Sequence, residues 1–294
     1  PARRLAGDGF PVSKLLRRHI TWCQSSLAES ALTARVFLPD GRPPKVGATL
    51  VQPELAATLG RLAEHGVLDF YRGSLARDIA DDMQAHDGLI TEQDLAEAEL
   101  PIARTPISIS YRGHEVMSVP PPGGGVPLLL GLRLIEALDL GRFAQDPVSW
   151  YAQIALVVET VFRERVRWPI DPRRFPESML EWLLGDARVE EIVRILRSGE
   201  ARPPVRSAEG PGDTTHLCVV DQDGTIVSLT QSVQSLFGAK VANQKLGFLY
   251  NNYLCTCPRF RHPSQLRGNA MPQSNAAPTI LFRREADGTR QPVL

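Results

Sequence analysis

The run from Ser198 to Asp213 holds three prolines and three glycines, and neither a helix interior nor a central strand accommodates that mixture. It reads as an exposed linker. It also divides the chain by pattern, because helical periodicities dominate before residue 200 and β-type sequence follows residue 213. Such an order is consistent with one segment over 1–213 and a second over 214–294. An ordinary surface loop and a site where the chain is cut both fit the composition of residues 198–213.

After the linker, His216 to Val220 is short and apolar, and Asp221-Gln222-Asp223-Gly224 carries turn chemistry. Thr225 to Thr230 is β-branched and alternating, so the stretch predicts a β-hairpin whose first strand is opened by Thr214. Threonine favours such positions for steric reasons alone.

Before the linker, Gln52-Pro53-Glu54-Leu55 places a proline and an acid where a helix begins. Leu75, Ile79 and Met83 recur at four-residue spacing and predict one buried helical face, with Asp78, Asp81 and Asp82 on its solvated edge. Thr91 and Asp94 have the spacing of a helix cap. Strands are expected at Ile107 to Tyr111 and at Glu115 to Val119, and an apolar helix from about residue 126 to 138. The Gly123-Gly124-Gly125 run ahead of that helix lacks the Lys-Ser/Thr ending of a phosphate loop and the spacing of a dinucleotide fingerprint.

At 294 residues and 43% hydrophobic content, the chain is able to bury one sizeable core or two smaller ones. Thirty-three basic and 33 acidic residues balance, which argues against nucleic acid as a partner. Arg163, Arg165, Arg167, Arg173 and Arg174 read as a solvated helix end. No apolar run has the length of a membrane span. Cys23, Cys218, Cys255 and Cys257 lack zinc-like spacing and are expected as free, partly buried thiols.

The pair Thr214-Thr215 carries the chemistry of greatest interest. A threonine hydroxyl needs a base to become a nucleophile, and a chain-terminal threonine provides one in its own α-amine. Here the Thr214 nitrogen is bonded to Asp213, so this chemistry requires cleavage between them. His216 reads equally as a structural imidazole or as a participant.

The run Thr214-Thr215-His216-Leu217-Cys218-Val219-Val220-Asp221 resembles the start of the small subunit in the gamma-glutamyltransferase family. The likeness continues through Asp223-Gly224, Phe237-Gly238, Gly247 to Asn252 and Ala277-Pro278-Thr279. Upstream, Phe70-Tyr71-Arg72-Gly73, Gly88 to Leu95, Tyr111-Arg112-Gly113 and Pro120 to Gly125 are similar to large-subunit motifs in the same order. The likeness covers nearly the whole chain.

That resemblance implies an α+β fold, a four-layer αββα sandwich of the N-terminal-nucleophile hydrolase type, and a self-cleaving enzyme without metal or organic cofactor. Thr214 would attack the Asp213 carbonyl, and the freed amine, titrating near about 7.7 to 8.0 when unperturbed, would then serve as its base. The mature threonine would take the acyl group of a small-molecule amide such as a γ-glutamyl compound and pass it to water or an acceptor amine. Large and small subunits would stay paired after cleavage. Many bacterial members are periplasmic or secreted, which leaves a cytoplasmic alternative open for this chain.

Residue by residue, Ser232 matches the family's hydroxyl beside the nucleophile. Gln234, Asn252, Tyr253, Thr256, Ser274 and Asn275 match substrate-binding positions. Four of them depart from the usual residue. Gln234 stands for an asparagine, Tyr253 for a glutamine, Thr256 for an aspartate, and Asn275 for the second residue of a serine pair. Loss of the aspartate removes an ionic acceptor for a buried ammonium, worth roughly several kcal/mol, so the acyl group need not be glutamyl. The family's oxyanion glycines fall beyond Leu294 and its carboxylate-gripping arginine falls before Pro1, so a non-catalytic, truncated homologue is the alternative reading.

Overall fold

The computed structural model describes residues 1–98, 101, 103–143, 145–165, 167–168, 171, 175–198, 214–257, 265, 267–268, 271–285 and 287–293. Asp213, the linker after Ser198, Arg173 and Arg174 lie outside the described residues. Two compact units form. The first takes residues from 1–102 and Val233–Asn252; the second takes residues from 103–210, Thr214–Ser232 and 253–294. Each draws chain from both sides of position 213, so compactness does not follow the linker.

The first unit is mainly helical: α1 Ala2–Asp8, α2 Lys14–Trp22, α3 Gln24–Leu27, α4 Ala31–Phe37, α5 Pro53–His65, α6 Leu68–Arg72, α7 Ser74–Ala85 and α8 Glu92–Glu97. Its two short strands, β1 Phe10–Pro11 and β2 Thr49–Leu50, pair antiparallel. Pro53 starts α5 with Glu54 in the first turn, and Thr91 and Asp94 close a capping box on α8, both as the sequence predicts. Leu75 and Ile79 are buried on α7 and pack with Leu246, which anchors the 241–252 segment. Thr58 reinforces that anchor by donating to the Leu246 carbonyl at 2.8 Å.

The expected solvated edge of α7 is only partly so, since Asp81 is exposed but Asp78 and Asp82 are engaged. Asp78 accepts from Arg61 at 2.8 Å and pairs with Lys245. Asp82 accepts from the Tyr250 hydroxyl at 2.7 Å, and that hydroxyl accepts from the fully buried Asn243 at 3.0 Å. Lys245 lies 167 residues from Asp78 and Tyr250 168 from Asp82, a reach that local periodicity does not encode.

The second unit combines β3 Ile107–Tyr111, β4 His114–Ser118, α9 Gly125–Ala137, α10 Pro147–Arg165, α11 Glu177–Leu184, α12 Asp186–Arg197, β5 Thr215–Val220, β6 Ile226–Gln231, β7 Thr279–Arg284 and β8 Arg290–Val293. An antiparallel sheet runs in the order β3-β4-β7-β8, with Ile109 opposite Val116 and Val116 opposite Leu281. Leu129 of α9 seals against Ile109 and Val116. The opposite flank of α9, through Leu130 and Leu134, packs with Val157 and Val161 of α10 and Ile192 of α12. Within this layer Arg188 and Glu164 form an ion pair, each side chain only 6% exposed.

β5 and β6 form a separate antiparallel hairpin. Its turn is set by Asp221, whose carboxylate accepts from Asp223 N at 2.9 Å and Thr225 N at 2.8 Å, while Gly224 takes the left-handed φ of 83° that the turn requires. All four cysteines are free. Cys23 is buried and Cys257 half-buried, but Cys218 and Cys255 are exposed rather than partly buried. Among the described residues no helix is long and apolar enough to cross a membrane.

Candidate active site

Thr214 precedes the first residue of β5, and Ser232 follows the last residue of β6. The register that pairs Thr215 with Gln231 brings these flanking residues together. Thr214 Oγ1 lies 3.3 Å from Ser232 Oγ. Alternation along a strand puts Thr214, His216 and Cys218 on one face. The His216 ring there sits 2.8 Å from the Thr230 hydroxyl and 3.2 Å from the Cys218 thiol. The His216 ring is therefore held within the hairpin by its own neighbours.

Gln234 and Asn252 belong to the first unit. Asn252 closes a reciprocal pair with Ser235: Oδ1 accepts from Ser235 N at 3.1 Å, and Nδ2 donates to Ser235 Oγ at 2.9 Å. Gln234 has a φ of 81°, a left-handed conformation that costs a non-glycine residue about 1–2 kcal/mol. No sequence signal marked this strain.

The remaining site residues lie in the second unit with Thr214. Tyr253 begins a single helical turn ending at Thr256. The Thr256 hydroxyl donates to the carbonyls of Tyr253 at 2.8 Å and Gln273 at 3.3 Å. Its proton is thus occupied by backbone, and the side chain brings no negative charge.

Ser274 and Asn275 rest on the glycine loop. Ser274 N donates to Pro122 O at 3.1 Å, and Gly124 N donates to Ala276 O at 2.8 Å. The glycines thereby serve a protein segment, in line with their lack of phosphate-loop spacing. Arg165, at the end of α10, donates to Ser274 O at 2.8 Å and to Asn275 Oδ1. This corrects the reading of a solvated helix end for two of its members: Arg163 pairs with Glu159 and Arg165 grips the candidate site, whereas Arg167, paired with Glu164, is exposed as expected. An arginine 110 residues upstream carries no mark in sequence that would single it out.

Residues 1–293 match the family described as Gamma-glutamyltranspeptidase. The chain belongs to the gamma-glutamyltranspeptidase family. Among relatives of the chain, the glutathione hydrolase proenzyme of Escherichia coli K12 is 34% identical, over 86% of the chain and 45% of the relative. The acylase ACY 1 proenzyme of Pseudomonas sp. SE83 is also 34% identical, over 86% and 46%. The crystal structure of cephalosporin acylase from Bacillus halodurans superimposes with a TM-score of 0.82 at 26% identity, covering 99% of the chain and 54% of that structure. The chain thus spans about half the length of the curated relatives it matches. The α+β fold class of N-terminal-nucleophile type, expected from the motifs, is the one this gamma-glutamyltranspeptidase likeness shows.

Proposed function

We propose that the protein is a self-processing amide hydrolase or acyltransferase with Thr214 as nucleophile. The observation that carries this reading is the 3.3 Å approach of Thr214 Oγ1 to Ser232 Oγ at the mouth of the β5–β6 hairpin. The Thr214 oxygen attacks the Asp213 carbonyl, the peptide C–N bond breaks, and an ester remains. Water cleaves that ester, leaving a carboxylate on Asp213 and a free amine on Thr214. The amine next removes the hydroxyl proton as Thr214 attacks a substrate amide, and the departing amine takes that proton. Water or an acceptor amine then collects the acyl group. Relatives named as proenzymes support the processing step, after which the two segments meeting at position 213/214 stay associated.

The acyl group we assign is one without a free α-ammonium. Thr256 spends its only proton on two backbone carbonyls, and neither it nor Tyr253 supplies the carboxylate that a buried ammonium requires. A relative named as an acylase is consistent with a non-glutamyl acyl group.

Intact-mass spectrometry of the full-length protein beside Thr214→Ala tests the nucleophile. Two fragments meeting at Asp213/Thr214 in the wild type alone are expected. A single uncut mass in both would overturn the assignment.

A further inference from the structure

We propose that Arg165 is a positioning residue that fixes which end of the Asn275 side-chain amide faces the substrate. The inference rests on the reading of Ser274 and Asn275 as substrate-binding residues. A guanidinium has donors and no acceptor, so an amide that meets it must turn its oxygen inward. Arg165 Nη1 donates to Asn275 Oδ1, and Nη2 donates to Ser274 O at 2.8 Å. One rigid fork therefore holds both the backbone and the side chain of the segment.

The consequence lies at the other end of the amide. Asn275 is exposed, and with Oδ1 committed to Arg165 the group it offers outward is the NH2. Beside it, Ser274 Oγ accepts from Ala276 N at 3.1 Å, which leaves the hydroxyl proton as the part able to reach out. The pair thus offers donors, suited to a carboxylate or carbonyl oxygen and unsuited to an ammonium. An asparagine without Arg165 turns either end outward and loses that selectivity.

Two anilides of equal chain length, one with an acyl chain ending in carboxylate and the other in methyl, separate this role from general support. In the full-length protein, Arg165→Gln is expected to raise KM for the carboxylate-ended anilide about tenfold. Its kcat should stay within about twofold, and KM for the methyl-ended anilide should not change. Arg165→Lys, which keeps donors, should recover part of the loss and carries the test if the glutamine variant does not fold, with self-cleavage reporting folding in each. Asn275→Ala should match Arg165→Gln, and the double variant should be no worse than Asn275→Ala alone, because Arg165 acts through Asn275.

Equal KM changes for both anilides, or full additivity in the double variant, would overturn the proposal. Unchanged KM values in Asn275→Ala would remove Asn275 from the substrate and the proposal with it. Failure of the wild type to cleave itself would instead bring down the hydrolase reading.

Discussion

Gly124 and Asn275 meet backbone to backbone: a methyl group at position 124 would lie 2.5 Å from the Asn275 carbonyl oxygen. No rotamer change relieves such a clash, because both atoms are fixed by the chain. Gly124→Ala is therefore expected to lower stability by about 1–3 kcal/mol and to raise KM by displacing Ser274 and Asn275. Urea midpoints and Michaelis curves check both; an alanine variant with wild-type KM would show that the contact does not set the site.

Ser232→Ala removes the hydroxyl that lies 3.3 Å from Thr214 Oγ1. A hydrogen bond to a group that gains charge contributes about 1.5–3 kcal/mol, so self-cleavage should slow roughly 10- to 100-fold. Ser232→Thr keeps the hydroxyl and should remain close to wild type. The time course of the uncut mass after synthesis measures the difference.

Asp78 gives stability a definite pH dependence. Burial works against its charge, but hydrogen bonds and attraction from Lys245 and Arg61 outweigh burial and hold its carboxyl below the usual range. A carboxyl with a depressed folded pKa stabilises the fold above its ordinary unfolded value, about 3.9, and loses that contribution as pH falls through the folded value. Asp78→Asn should cost about 1–3 kcal/mol at pH 7 and progressively less in acid. Denaturation midpoints of both proteins at pH 7 and pH 3 report whether the gap closes.

Arg188 and Glu164 form a buried ion pair between α12 and α10. Arg188→Leu alone leaves the buried Glu164 charge without its closest partner and should cost about 3–5 kcal/mol. Replacing both by leucine should recover much of that loss, since burying neither charge avoids the desolvation of both. Thermal unfolding of the two single variants and the double variant decides it; a double variant as unstable as the summed singles would contradict this account.

Local chemistry made the hairpin, the α5 start, the α8 cap and the buried stripe of α7 legible in the sequence, because each is written within one continuous stretch of chain. The expected strands at Ile107 to Tyr111 and Glu115 to Val119 appear as Ile107–Tyr111 and His114–Ser118, and the apolar helix appears as Gly125–Ala137. What stayed hidden depends on distant partners. Arg165 looks like one more arginine at a helix end until the Ser274 and Asn275 segment is laid beside it. Asp78 looks solvated until Lys245 returns to it from 167 residues away. Gly124 announces a close approach, yet composition does not say whether a ligand or another backbone comes near.

The Asp221 turn has an effect well beyond its own four residues. Strand pairing is counted outward from it, Val220 with Ile226 and onward to Thr215 with Gln231, so parity alone decides that Thr214 falls beside Ser232. A slip of one residue would reverse every side chain. The hydroxyl pair would be separated and the His216 face exchanged for the Leu217 and Val219 face, without the loss of a single site residue. Inserting or deleting one residue between Asp221 and Gly224 is thus equivalent, for the nucleophile, to rewriting the strand.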